Sequence, residues 1–261
     1  MPVARLGGER GLMADALAGP VHAVTFDLDN TLWDLAGVIE LAEQRTDEWL
    51  SRHYPDVASR HDASTLRQLR SAIAERQPEL GHDVTALRRE GLRAAGRECG
   101  YAGTALEALV EGAFEAFIRG RHEVRLYDET IPLLDWLGRY VPLGAITNGN
   151  ADVRRLSLSG HFDFTVSAME IGASKPSHLV FEAAAGRAEV ARGSIVHVGD
   201  NCECDVVGAA QAGMQAVWIP YAGEDWPEDL HMPEHARVRS LSELTRILAP
   251  HLPSQARRRQ S

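Results

Sequence analysis

One short stretch constrains this chain more than any other: His22-Ala23-Val24-Thr25-Phe26-Asp27-Leu28-Asp29-Asn30-Thr31-Leu32-Trp33. Val24 and Phe26 alternate with smaller or polar neighbours, the run is rich in β-formers, and Pro20 bounds it. It predicts a buried strand that ends in a polar loop. Asp27 and Asp29 stand at the carboxyl end of that strand, where open α/β sheets bind their ligands. Spacing alone also fits a turn, because Asp and Asn favour turns and helix N-caps. A carboxylate at that place can serve as metal ligand, nucleophile or base.

From Trp33 to Val124 the pattern is helical throughout. Leu35, Val38, Ile39, Ala42, Trp49 and Leu50 form one stripe; Leu66, Leu69 and Ile73 form a second, closed by Pro78. Asp83 is placed to cap a third helix running to Gly96, and Leu106 to Phe117 is a fourth. Periodicity thus predicts an all-helical insert of about four helices. After Asp128 strands and helices alternate. Strands are predicted over 141–147, 164–167, 194–199 and 215–219. Helices are predicted from Pro132 to Tyr140, over Val153, Leu156 and Leu158 as far as Gly160, from Pro176 through Ala184, over 205–212 closed by Gly213, and from a Ser242 cap through Leu248. Alternation of this kind implies an α/β fold, a parallel sheet with right-handed crossovers. The expected division is a flexible leader over 1–19, an α/β core over 20–33 and 125–252, a helical insert over 34–124, and a disordered basic tail over 253–261.

Charge and composition narrow the partners. A net charge of −10 argues against a general nucleic-acid binder and requires locally placed cations for any anionic substrate. No apolar run reaches the length of a membrane span. The leader holds Arg5, Glu9, Arg10 and Asp15 and no apolar core, so it does not read as a secretory signal. Three cysteines, Cys99, Cys202 and Cys204, are too few for a disulfide framework and fit a reducing cytoplasm. Cys202-Glu203-Cys204 invites a zinc reading, but no complementary Cys/His pair at a usual spacing follows. His197 falls within a predicted strand and reads as a satisfied core histidine.

Three further strand ends and loops carry polar groups. Ile146-Thr147-Asn148-Gly149-Asn150 closes the second core strand, Lys175-Pro176 precedes a helix, and Val198-Gly199-Asp200-Asn201 closes a later strand, with Asp205 four residues on. Alone, each is ambiguous. Thr-Asn-Gly is also a turn with an N-cap, a lysine before a helix is commonly a surface residue, and Asp205 is also placed as an N-cap. In order, however, Asp27-x-Asp29-x-Thr31, the strand ending in Thr147, Lys175, and Gly199-Asp200 followed by Asp205 resemble the four motifs of the haloacid dehalogenase-like superfamily. The resemblance spans about Val21 to Trp218.

That resemblance implies a Rossmann-like core with an inserted helical C1 cap. It implies Asp27 as a nucleophile that forms an aspartyl-phosphate and Asp29 as general acid and base. Mg²⁺ would be held by Asp27, the backbone carbonyl of Asp29, and Asp200. Lys175 would offset the carboxylate charge. Thr147, Asn148 and Gly149 would bind the phosphate, and Asp205 and Asn201 would stand behind the metal ligands. Asp29 disfavours a 2-haloacid dehalogenase, because a departing halide needs no proton.

The stretches His82-Asp83-Val84-Thr85 with Arg88, Ala145 to Ala151, and His197 to Asp200 further resemble bacterial phosphatases of flavin mononucleotide and 5-amino-6-(5-phospho-D-ribitylamino)uracil, enzymes of riboflavin biosynthesis. Arg88 then becomes a candidate substrate-binding residue. The sequence departs from that pattern at Cys202-Glu203-Cys204 and in its longer basic tail. The expected partner is a small phosphorylated metabolite, with no nucleic acid and no membrane, bound by a monomer or homodimer. Other readings are a different sugar or nucleotide phosphatase, a phosphomutase, and a non-catalytic phosphate-binding regulator; the last has no need of both Asp27 and Asp29.

Overall fold

Six parallel strands carry the molecule, in the order β3-β2-β1-β4-β5-β6. The structure, a computed structural model, describes residues 17–257. The strands are β1 (Ala23–Phe26), β2 (Leu143–Thr147), β3 (Phe164–Ser167), β4 (Ile195–Gly199), β5 (Gln215–Trp218) and β6 (Ala236–Arg237). β1 lies between β2 and β4, with Phe26 in register with Ala145 and Val198. All four of its residues are buried, as expected of a parallel sheet covered on both faces. Its side chains alternate between two cores. Val24 and Phe26 enter one cluster with Leu134 and Leu244, and Ala23 enters the other with Phe181 and Val206. Truncating the fully buried Phe26 to Ala is expected to cost about 3–5 kcal/mol.

Between β1 and β2 the chain forms helices α1 (Leu35–His53), α2 (Pro55–Arg60), α3 (Ala63–Arg76), α4 (Val84–Glu98), α5 (Gly103–Arg121) and α6 (Thr130–Leu137). The first five share a core of their own, built on Leu50, Leu92, Leu109 and Phe117. α6 instead buries Leu133, Leu134 and Leu137 against the sheet. Asp83 caps α4 by accepting from Ala86 N at 2.8 Å, as its position predicts. The chain leaves and re-enters the core side by side: Trp33 and Leu126 form an antiparallel bridge, and Tyr127 N donates to Leu32 O at 3.0 Å. After β3 come α7 (Ala168–Ile171) and α8 (His178–Ala188); α9 (Gly208–Gln211) precedes β5, and α10 (Leu241–Leu248) follows β6.

Several local expectations are corrected. The insert has an additional helix, α2, opened by Pro55 at its first position. The stretch carrying Val153, Leu156 and Leu158 is a single 3₁₀ turn followed by irregular chain. Asp152 caps that turn, Leu156 and Leu158 reach the core from it, and Ser157, Ser159 and Gly160 give a continuing helix little support. Pro176 stands outside α8, which begins at His178 with Ser177 as its N-cap. Residues 202–207 form a π-helical turn capped by Asn201, not a helix starting at Asp205. The last helix is preceded by Ser240, and Ser242 lies within it.

The ends are also more anchored than expected. Leu17 is buried in the core, and the Gly19 carbonyl lies 3.1 Å from His251 Nδ1. Arg257 donates to Gly138 O at 2.9 Å and to Asp163 at 2.7 Å. Residues 1–16 and 258–261, the remainder of the expected leader and tail, lie outside the described residues.

Candidate active site

The carboxyl ends of β1, β2 and β4 converge, and with them the polar groups that the sequence placed there. Asp27 follows β1 directly, and its N–H donates to Val198 O at 2.8 Å, tying it to β4. Lys175 arrives on the loop after α7. Asn148, just past β2, clamps that loop: its amide donates to Lys175 O at 3.0 Å, and Lys175 N donates to Asn148 Oδ1 at 2.8 Å. The ammonium is buried and spends all three protons, on Asp27 Oδ1 at 2.5 Å, Asp205 Oδ1 at 2.6 Å and Ile146 O at 2.9 Å.

Asp205 is engaged at both oxygens. Oδ1 accepts from Lys175 and lies 3.1 Å from His197 Nε2, while Oδ2 accepts from Asn201 N at 3.0 Å. His197 is buried within β4, with Nδ1 2.9 Å from Thr25 Oγ1, so both ring nitrogens are satisfied. A Cβ on Gly199 would lie 2.3 Å from Asp205 Cγ. Glycine there is the condition for Asp205 to reach back to the strand end.

Burial and charge set the protonation of this group. Burial would raise Asp205, but Lys175 and His197 outweigh it and hold the carboxyl below its usual range. Burial works against the Lys175 ammonium as well, yet Asp205 and Asp27 outweigh it and keep the cation. Asp27 is pushed well above the ordinary carboxylate range by burial, an effect that Lys175 only partly offsets and that Asp205, Asp29 and Asp200 reinforce. Asp200 is pushed up to about 6 by burial and by Asp205. Carboxylates crowded and buried in this way favour a cation among them.

Asp27, Asp200 and Asp205 bring carboxylate oxygens within 4.8 Å of one another, a hard-oxygen donor set suited to a divalent cation such as Mg²⁺. Because Asp205 is committed to Lys175, His197 and Asn201, Asp27 and Asp200 keep more of their acceptor capacity for an ion. The residues fit the group.

Asp29 is placed otherwise. Both its oxygens accept from Arg121 Nη2, at 2.7 and 2.6 Å, and Oδ1 accepts from Trp33 Nε1 at 2.9 Å. Arg121 is the last residue of α5 and is 1% exposed, so a helix of the insert grips a core loop through it. A Cβ on Gly149 would lie 2.8 Å from Asp29 Oδ2, which is what glycine at that position avoids. Thr147 Oγ1 accepts from Gly149 N at 3.0 Å, leaving the hydroxyl proton to donate elsewhere.

Thr147, Asn148 and Gly149 line a cleft of about 560 Å³ together with His82, Thr85 and Ile118 of the insert. Arg88 lines a second cavity, one that also touches Asp29. Sequence reasoning missed Arg121. A basic residue in the last turn of a helix reads as a solvated complement to the helix dipole, and nothing local marks it as buried.

Comparison with known proteins bears on this geometry. A family model described as haloacid dehalogenase-like hydrolase matches residues 21–213. The 5-amino-6-(5-phospho-D-ribitylamino)uracil phosphatase YigB of Escherichia coli K12 is 34% identical over 232 residues, 88% of this chain and 97% of the relative. Phosphoserine phosphatase of Thermus thermophilus is 36% identical over 136 residues, 50% of this chain and 54% of the relative. A solved 2-haloacid dehalogenase from Pseudomonas syringae pv. tomato DC3000 superposes with a TM-score of 0.83 at 39% identity, over 88% of this chain and 99% of that one. With a parallel sheet whose strand ends gather three aspartates and a lysine, a helical insertion after the first strand, and a family match across both, the chain belongs to the haloacid dehalogenase-like hydrolases.

Proposed function

We propose that this protein hydrolyses phosphate monoesters through an aspartyl-phosphate on Asp27, with Mg²⁺ as cofactor. The observation that carries the reading is Asp29, a second carboxylate two residues from Asp27 and bordering a cavity. In the first step an Asp27 oxygen attacks phosphorus, the ester P–O bond breaks, and Asp29 gives a proton to the leaving oxygen. In the second, Asp29 takes a proton from water, the water oxygen bonds to phosphorus, and the P–O bond to Asp27 breaks to release phosphate. Arg121 Nη2 reaches both Asp29 oxygens, so one of the two bonds opens for that oxygen to carry the proton while the other keeps the carboxyl in place.

Asp27 and Asp200 would hold Mg²⁺, which would neutralise charge at the phosphoryl oxygens when bound. Lys175 keeps Asp27 oriented, and the Thr147 hydroxyl and the backbone of Asn148 and Gly149 are the groups available to the phosphate. Similarity along nearly the whole chain to the Escherichia coli enzyme favours 5-amino-6-(5-phospho-D-ribitylamino)uracil, with flavin mononucleotide as the related candidate. The three cysteines are free thiols, which supports a reducing, cytoplasmic setting. Among the described residues no helix is long and apolar enough to cross a membrane.

The similarity to a 2-haloacid dehalogenase favours a second reading, a halide-releasing enzyme. One assay separates the two: phosphate release from both named esters and from p-nitrophenyl phosphate, with and without chelator, beside halide release from 2-chloropropionate. Phosphate release that stops on chelation and returns with Mg²⁺ is expected. Halide release without phosphate release would overturn the proposal.

A further inference from the structure

A cavity of about 360 Å³ opens within the helical insert and meets the core at Asp29, Gly149 and Asn150. On the phosphatase reading Asp29 serves the leaving oxygen, so what lies beyond Asp29 in this cavity is the alcohol being released. Its walls have two kinds of surface. Ile39, Leu87 and Phe117 are apolar, whereas Arg70, Arg88 and Arg121 bring three guanidinium groups.

Those cations are short of partners. Glu43 is the carboxylate on that side, and it is shared: Arg67 lies at 3.2 Å, Arg70 at 3.4 Å and Arg88 at 4.0 Å from it. The Arg88 guanidinium makes no hydrogen bond among the described residues and lies 3.4 Å over the Phe117 ring. Arg121 spends Nη2 on Asp29, and its Nη1 is buried without a partner. Burial and the neighbouring Arg70 push Arg88 down to about 9, against an ordinary arginine value far higher. A buried guanidinium nitrogen without a partner, as at Arg121 Nη1, is costly, and the half-buried Arg88 guanidinium has donors to offer to what enters the cavity.

We propose that this cavity is the leaving-group subsite and that Arg70 and Arg88 make it select phosphomonoesters whose alcohol ends in an anionic or acceptor-rich planar group and carries no cation. Guanidinium forks match carboxylate or paired carbonyl oxygens, and the apolar wall takes the flat body that bears them. Alcohols ending in an ammonium group meet excess positive charge and are refused. The proposal rests on the phosphatase reading only for which end of the substrate lies here.

The test uses three esters on one frame: phenyl phosphate, 4-carboxyphenyl phosphate and 4-(aminomethyl)phenyl phosphate, with Mg²⁺ saturating. Each is compared between the wild type and Arg70→Met/Arg88→Met, which cancels the intrinsic reactivity of the leaving groups. The wild type is expected to favour the carboxylate ester over the ammonium ester in kcat/KM. The double variant should lose about 10- to 100-fold of that preference, the range for charge-assisted hydrogen bonds. Glu43→Gln, which removes the carboxylate the arginines share, should widen it.

Binding of the free alcohols, 4-hydroxybenzoate and 4-hydroxybenzylamine, to the wild type by calorimetry gives a readout independent of turnover and of whether the variants fold. Tighter binding of the benzoate supports the subsite even if no ester is hydrolysed, in which case the phosphatase reading alone falls. Wild-type hydrolysis of all three esters within threefold of one another, with equal binding of the two alcohols, overturns the subsite and leaves the phosphatase reading standing.

Discussion

The two sides of the site differ in how their charges are matched. On the core side Lys175, Asp27, Asp205 and His197 form a buried network in which each group has partners within 3.1 Å. On the insert side the half-buried Arg88 guanidinium has no hydrogen bond among the described residues, and Arg121 keeps one buried nitrogen unpaired. A buried network that is satisfied holds its members in one geometry, whereas unmatched buried donors cost free energy until something binds them. The core side is therefore built to position atoms in advance, and the insert side to respond to what enters.

Breaking the core side should have the larger consequences. Asp27→Asn keeps the shape and removes the attacking carboxylate. We expect turnover to fall by at least about three decades, roughly 4 kcal/mol of transition-state stabilisation. Near wild-type phosphate release by the purified variant would end the aspartyl-phosphate mechanism. Lys175→Met leaves Asp27 and Asp205 facing each other without a cation, and removing one partner of a buried charge group costs about 3 kcal/mol or more. Chemical denaturation should show that loss, and Mg²⁺ should recover part of it. An unchanged unfolding midpoint without metal would mean that the lysine contributes nothing to holding the carboxylates.

Asp29 joins the two sides, and its variants sharpen the contrast. Asp29→Ala should cost about 10²-fold in hydrolysis of an alkyl phosphate, within the usual range for general acid–base catalysis. It should cost less in phosphorylation of Asp27 by p-nitrophenyl phosphate, because p-nitrophenolate departs without a proton. Pre-steady-state kinetics with both substrates reads the difference, and equal losses would leave Asp29 with a role in loop shape only. Arg121→Met frees Asp29 from the insert but leaves the Trp33 hydrogen bond. The expected drop in kcat is about tenfold, the order of one charge-assisted hydrogen bond, and again larger for the alkyl ester. A change in KM alone would assign Arg121 to substrate binding instead.

The smallest effect lies at the junction itself. His122, just after α5, lies 2.7 Å from Ile118 O through Nδ1 and accepts from Asp152 N through Nε2 at 2.9 Å, which requires the neutral ring. Burial, with Arg155 and Arg121 nearby, holds its pKa below the usual value. The contact therefore contributes fully above about pH 6.5, the unfolded value, and is lost as pH falls through the lower folded one. The melting temperature of the wild type should drop by about 1–3 °C more than that of His122→Gln between pH 7.5 and 5.5. Parallel curves would show that the strut does not matter.

The sequence by itself determined the frame. Strand-length apolar runs placed β1, β2, β3, β4 and β5 to within a few residues, because burial on both faces of a parallel sheet writes itself into composition. Helical stripes located α1, α3, α4 and α5, and Asp83 was legible as the cap of α4 because a cap acts on a residue three positions away. Asp27, Thr147 and Asp200 stood at strand ends, and strand ends are what the sheet gathers.

Tertiary structure decided what depends on distant partners. Whether 153–160 continued as a helix was settled by Leu156 and Leu158 being drawn into the core from an irregular path. Arg257 reads as part of a solvated tail until Asp163, 94 residues away, takes it. His197 and Asp205 are eight residues apart and become neighbours only because the chain turns back on itself after β4 in a π-helical turn. Asp29 and Arg121 are 92 positions apart, and the chain between them folds into a separate helical body whose last turn returns to the site. Local pattern records which side of an element is buried; it does not record which charge on another element will be there to meet it.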